Sequence, residues 1–288
     1  MTCVNSQIVT LELQRWIDEQ TAAGSPADAL LEAMVTSGWR RELARSALDS
    51  TLRARQQAQS QVQCAAPAAP ERLPEPLVAD GAHRVAAGDR EVAIVAEMRA
   101  PRVIVFAGLL ADPECDELVA LARQRLARSE TVHVETGGTE INAARTSEGM
   151  FFTRAENPLV ERIEARIAAL LNWPVDRGEG LQVLRYAPGA EYRPHYDYFD
   201  PADPGAPVIL ARGGQRVASL VMYLNMPLRG GATTFPDAGF AVAPQRGGAV
   251  FFSYDRPHPD TRTLHGGAPV LEGEKWVATK WLRERRFD

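Results

Sequence analysis

Five histidines punctuate the sequence: His83, His133, His195, His258 and His265. Three have an acid two residues later: His133 with Glu135, His195 with Asp197, and His258 with Asp260. The pairing alone does not choose among them, so geometry must. Residues i and i+2 of a β-strand point to the same face, which lets both reach one metal ion. His195 and Asp197 lie in YRPHYDYF, whose aromatic content suits a strand. His258 sits in the loop RPHPDT, flanked by prolines, and His133 in a polar, glycine-rich stretch; both are expected at the surface. His195 and Asp197 are therefore the preferred pair.

A third ligand must come from a distant segment that folds back beside the first. His265, in RTLHGG and 70 residues downstream of His195, qualifies. Two imidazoles and one carboxylate form a facial set suited to Fe(II), with positions left open on the metal. With one anionic ligand such a centre stays positive and attracts an anionic chelator. The final apolar segment, KWVATKWL, then offers two lysines. Lys275, Val277, Thr279 and Trp281 share one face by period two, and Trp276, Ala278, Lys280 and Leu282 share the other. A buried lysine is costly unless an anion meets it, and a dicarboxylate chelating the metal would supply one. Spacing leaves open whether Lys275 does this, whether Lys280 does, or whether Lys275 turns to solvent.

The elements that hold these residues follow from composition and periodicity. The chain has 288 residues, 45% hydrophobic and 24% charged, enough to bury a sizeable core. Lys and Arg total 32 against 37 Asp and Glu, a net charge of -5, with no basic stripe; nucleic acid is not an expected partner. The single Arg212-Gly213-Gly214 is expected to be a turn. No apolar run approaches the ~20 residues of a membrane span, and neither a membrane nor a signal peptide is expected. Cys3, Cys64 and Cys115 are odd in number and far apart, which fits neither a disulfide framework nor a zinc ribbon and suits the cytoplasm.

Residues 1–55 predict a small bundle of three amphipathic helices. Leu11, Leu13, Trp16 and Ile17 mark the first; Ser25-Pro26-Ala27-Asp28 caps a second that carries Leu30, Leu31, Met34 and Val35 and stops at Gly38. Leu43, Ala44, Ala47, Leu48 and Leu52 mark the third. Residues 56–76, rich in Gln, Ala and Pro, have the composition of a linker. In residues 77–288, DREVAIVAEM and RVIVFAGLL predict strands, while DPECDELVALARQRLA and NPLVERIEARIAALLNW predict helices capped at Asp112-Pro113 and Asn157-Pro158. Met150-Phe151-Phe152 is expected in the core. After Trp173 come about eight short segments of strand character: LQVLRY, YRPHYDYF, RVASLVMYL, ATTF, FAVAP, AVFFSY, RTLHGG and KWVATKWL. The fold class is thus mainly β with flanking helices, as a sandwich, jelly roll or barrel buttressed from outside.

ARTSEGMFF, RYAPGAEYRPHYDYF, GGQRVASLVMYLN, GGATTFP and LHGGAPVLEGEKWVATKWLRE, in this order, resemble the prolyl 4-hydroxylase α-subunit-type 2-oxoglutarate/Fe(II) dioxygenases. The likeness spans residues ~90–286. It implies a double-stranded β-helix, or jelly roll, with its core at about 181–284. It implies His195, Asp197 and His265 as iron ligands and Lys275 as the anchor for the far carboxylate of 2-oxoglutarate. Tyr186 and Thr233 match positions lining the co-substrate pocket, and Tyr192, Arg216 and Trp281 match positions near the target residue. The implied reaction consumes O2 and 2-oxoglutarate, hydroxylates a C–H bond and releases succinate and CO2, with L-ascorbate restoring oxidised iron. The expected target is a prolyl residue in a peptide or protein. The alternatives are a free amino acid or other small molecule, or a non-catalytic jelly roll that only binds. The N-terminal bundle is expected to bind a protein partner or mediate dimerisation. Ala232 and Ala268 stand where family members often have Glu and Cys, and neither belongs to the proposed metal set. Substrate choice is expected in the loop DYFDPADPGAPVILARGG.

Overall fold

The computed structural model describes residues 13, 16–17, 20–21, 26–64, 72–128, 131–132, 136, 138–140 and 145–288. The chain divides into two compact units, residues 1–68 and 69–288. His133, Glu135, Leu11 and Ser25 lie outside the described residues.

In the first unit, helices Ala27–Thr36 and Arg41–Cys64 bring Leu30, Leu31 and Met34 together with Ala44, Ala47 and Leu48. Ile17, from a helical stretch that includes Leu13 and Trp16, is buried in the same cluster. Gly38, at φ +94°, makes the turn that a side chain would strain. Two expectations are corrected. Pro26 is extended and precedes the helix instead of opening it. The second of these helices runs to Cys64, well into the segment expected as linker from residue 56, because Gln, Ala and Arg are good helix formers even without an apolar face.

The second unit is mainly β. Nine strands form the major sheet, whose middle runs in the order Arg102–Ala107, Ala249–Ser253, Arg216–Tyr223, Lys275–Arg283, Leu181–Tyr186 and Glu148–Phe152, all antiparallel. A smaller sheet has the order Phe240–Val242, Thr233–Phe235, His265–Gly267 and Tyr192–His195. Between residues 181 and 283 the chain crosses repeatedly from one sheet to the other, a connectivity consistent with a jelly roll. All eight expected segments contain strands.

Period-two alternation sorts the side chains. Trp276, Ala278 and Leu282 face a core shared with the helices Asp112–Arg123 and Pro158–Leu171, through Leu118, Leu159, Ile163, Ile167 and Leu170. Val277 faces the other way, into a core between the sheets with Tyr186, Tyr223, Phe235, Val250 and Phe252. Burying each such Leu or Phe contributes roughly 1.5–3 kcal/mol, so the helices act as the expected external buttress. Asn157 caps the longer helix by accepting from Val160 N at 3.0 Å, and Asn172, in the left-handed region at φ +49°, ends it. The shorter helix departs from expectation at both ends. Its N-cap is Ala111, whose N–H donates to Glu114 Oε2 at 2.9 Å, with Asp112 already helical. It stops at Arg123, and Ala127–Arg128 instead pairs with Gly149 and Glu148 at the sheet edge. Met150 and Phe152 are core residues, but Phe151 between them is 49% exposed, as strand alternation requires.

Candidate active site

The smaller sheet builds the centre of the site. His195 and His265 are direct partners in the antiparallel pairing of Tyr192–His195 with His265–Gly267, with ring centroids 4.4 Å apart. The strands approach closely at Gly266, where a Cβ would stand 2.9 Å from Tyr192 O and 3.1 Å from Pro194 N. The first strand ends at His195 instead of continuing through YDYF, so Asp197 lies just beyond it in bent backbone. Asp197 nonetheless converges with both histidines: Oδ1 is 3.5 Å from His195 Nε2, and Oδ2 is 3.4 Å from His265 Nε2. Among the described residues, this is the one cluster of three or more such side chains arranged to hold a metal ion.

Hydrogen bonds set the chemistry of each group. His195 Nδ1 lies 2.9 Å from Arg193 O, and His265 Nδ1 lies 3.0 Å from Thr263 O. A carbonyl only accepts, so each Nδ1 carries a proton, and each Nε2 is the ring nitrogen turned toward Asp197 and the centre of the cluster. Burial and the neighbouring His265 lower the His195 pKa and favour the neutral imidazole a metal needs. Burial would raise the Asp197 carboxyl, but the two imidazoles hold it well below its ordinary range. Asp197 Oδ2 also accepts from Ser219 Oγ at 2.5 Å.

Beside this cluster is an inner pocket lined by Tyr186, Thr233, Gly267, Lys275 and Thr279. Lys275 is 4% exposed, and among the described residues no carboxylate pairs with it. Its ammonium sits over the rings of Tyr186 and Tyr223, at 5.5 and 5.8 Å, and burial pushes its pKa down to about 8. Tyr223 donates to Thr233 Oγ1 at 2.8 Å and fixes that hydroxyl. Lys280 points the opposite way, to Glu164 and the Glu179 carbonyl, and so is not placed to meet a ligand in this pocket.

An outer cleft of about 1140 Å³ opens beside His195 and Asp197. Tyr192 stacks on His195, with centroids 3.6 Å apart. Arg216 is held by Glu179 at 2.6 and 2.9 Å and lies 4.1 Å from the Trp281 ring. The cleft therefore brings together Tyr192, Arg216 and Trp281, the three residues expected near a target. His258 lies apart from it, exposed and bonded to its own loop. Sequence reasoning missed Ser219, Glu179 and Phe151, the last a wall of the cleft. The available signal for Ser219 was a hydroxyl in alternation with Val221 and Tyr223 on one apolar strand face. Part of the substrate-choice loop forms the helix Ala206–Ala211, and Val208, 61% exposed, lines the cleft.

A profile of the 2OG-Fe(II) oxygenase superfamily matches residues 181–283. Prolyl 4-hydroxylase 1 of Arabidopsis thaliana is 44% identical over 203 residues, covering 64% of this chain and 70% of that protein. The chain belongs to the prolyl 4-hydroxylase-type 2OG-Fe(II) oxygenases. Prolyl 4-hydroxylase 2 of the same plant is 39% identical to this oxygenase over 211 residues, 65% of the chain and 69% of the relative. Among solved structures, the viral collagen prolyl hydroxylase of Paramecium Bursaria Chlorella virus-1 is 30% identical with a TM-score of 0.48, covering 63% of the oxygenase and 95% of that chain. Membership makes the chain an enzyme and implies Fe(II), 2-oxoglutarate and O2. Two imidazoles, a carboxylate and a neighbouring uncompensated lysine are a donor set that fits those groups.

Proposed function

We propose that the oxygenase hydroxylates a prolyl residue within a peptide or protein. His195, Asp197 and His265 hold Fe(II), and Lys275 receives the far carboxylate of 2-oxoglutarate. The observation that carries this reading is a convergent His-Asp-His cluster beside a buried lysine with no carboxylate partner among the described residues, at the base of an open cleft. The bound groups supply the oxidising chemistry: O2 is reduced, 2-oxoglutarate becomes succinate and CO2, and one oxygen enters a C–H bond.

The protein positions and shields. Tyr186 and Thr233 line the 2-oxoglutarate pocket, and the Tyr223–Thr233 hydrogen bond keeps a hydroxyl aimed there. Tyr192, Arg216 and Trp281 wall the cleft where a target residue would lie against the metal. Glu179, shared with Arg283, holds Arg216 in place. A cleft of about 1140 Å³ exceeds the ~300–1,000 Å³ usual for small-molecule pockets and favours a peptide over a free amino acid. The reading extends to L-ascorbate as the reductant that restores oxidised iron, and to a cytoplasmic location, which the sparse cysteines support. It also includes an N-terminal three-helix bundle over residues 1–55, serving a protein partner or dimerisation, with the oxygenase domain at 77–288.

The test incubates the full chain with Fe(II), 2-oxoglutarate, ascorbate and a proline-containing peptide. Mass spectrometry should find a one-oxygen gain on proline, matched by succinate and increased by ascorbate. Oxidation of free proline with none on the peptide would overturn the peptide assignment.

A further inference from the structure

We propose that Ser219 and Tyr254 act as a positioning pair that fixes Asp197 as a metal ligand. This rests on the reading of His195, Asp197 and His265 as a metal site. The three ligands are held differently. His195 and His265 lie within paired strands, and each ring is fixed through Nδ1 to a carbonyl two residues earlier. Asp197 lies past the end of its strand, so its carboxylate must be oriented from elsewhere.

The major sheet supplies that orientation. Ser219 lies on strand Arg216–Tyr223, and Tyr254 immediately follows the neighbouring strand Ala249–Ser253, where Ala218 pairs with Ser253. Ser219 is fully buried and Tyr254 is 2% exposed. Ser219 Oγ lies 2.5 Å from Asp197 Oδ2 and 3.2 Å from Tyr254 Oη. An ionised carboxylate only accepts, so the single Ser219 proton goes to Asp197 and the Tyr254 hydroxyl must donate to Ser219. The bonds form a directional chain, Tyr254 to Ser219 to Asp197, whose members polarise one another. It engages Oδ2, which faces His265 Nε2, while Oδ1 faces His195 Nε2, and so fixes how the carboxylate is presented to both rings. The chain therefore sets the orientation and charge of the one anionic ligand without itself touching the metal.

The experiment titrates Co(II) alone into the full metal-free chain and follows visible d–d absorption for both affinity and ligand geometry. Wild type should bind. Ser219→Ala should bind roughly 10–100-fold more weakly, with a shifted band, the usual effect of losing a hydrogen bond to a metal ligand. Ser219→Thr, which keeps the hydroxyl, should recover affinity and spectrum, and Tyr254→Phe should shift both in the direction of Ser219→Ala but less. A folded Ser219→Ala protein with unchanged affinity and band would overturn the proposal, as would a Ser219→Thr protein no better than Ser219→Ala. If Ser219→Ala does not fold, Tyr254→Phe decides, and an unchanged band there overturns the proposal. Failure of wild type to bind Co(II) would instead remove the metal reading beneath it.

Discussion

Lys275 and Lys280 lie five residues apart on one strand, are 4% and 2% exposed, and differ in what meets them. Lys280 faces the helix layer, where Glu164 of the Pro158–Leu171 helix and the Glu179 carbonyl satisfy its ammonium. Lys275 faces the interior of the roll, where it meets two aromatic rings, a threonine and the His-Asp-His cluster. A buried cation with its own carboxylate is part of the scaffold. One held beside a metal-type cluster without a carboxylate is half of a binding site, completed when an anion arrives.

The largest effect that could break this contrast lies on the scaffold side. Glu164→Ala leaves Lys280 buried and unpaired and should cost about 3–5 kcal/mol of stability. Denaturant unfolding would measure it, and the protein that remains folded should bind 2-oxoglutarate normally. A loss below about 1 kcal/mol would mean that Lys280 escapes to solvent. Next, Lys275→Ala should weaken 2-oxoglutarate by roughly 2–5 kcal/mol, read as its apparent affinity in succinate-forming assays. An unchanged affinity would move the anchor elsewhere. Lys275→Met should act oppositely on the ligand-free fold. Removing an uncompensated buried charge should add about 1 kcal/mol, a Tm gain of ~2–4 °C by calorimetry, whereas Lys280→Met should not stabilise.

A further expected effect is on pH dependence. Burial lowers Lys275 from 10.5 to about 8, so folding disfavours its charged form. That penalty is complete below about pH 8 and fades toward pH 10.5, where the unfolded chain also loses the proton. Ligand-free stability should therefore rise across this window. Affinity for 2-oxoglutarate should fall across it, because only the ammonium meets a carboxylate. Lys275→Met should flatten both profiles, and identical profiles in wild type and variant would assign the titration to another group.

Much of this was legible in the sequence where periodicity and chemistry coincide. The eight strand segments could be read from Gly, Pro and Asp punctuation, and the opposite facing of Lys275 and Lys280 from period two alone. Which lysine faced a ligand was not legible, because Glu164 lies on a helix 116 residues away and only tertiary packing brings it to Lys280. His195 and Asp197 converge, but not by the strand rule that paired them: the strand stops at His195, and bent backbone completes the approach. The hydroxyls that orient Asp197 escaped for the same reason. Ser219 and Tyr254 are single polar residues in apolar segments; the alternation marks Ser219 as an inward hydroxyl, but only tertiary packing brings Asp197 to it. Phe151, inside a run that looks like core, shows a helix-blind apolar count failing where strand alternation turns one ring outward.

Anaerobic titration of Fe(II) and 2-oxoglutarate into the metal-free full chain, followed by visible absorption, would judge the site as a whole. A charge-transfer band from iron to the chelating 2-oxoglutarate should appear in wild type, disappear in Asp197→Ala, and require more 2-oxoglutarate in Lys275→Ala. A well-folded wild type that forms no band, or an Asp197→Ala protein that keeps it, would contradict the assignment of His195, Asp197 and His265 as the iron ligands.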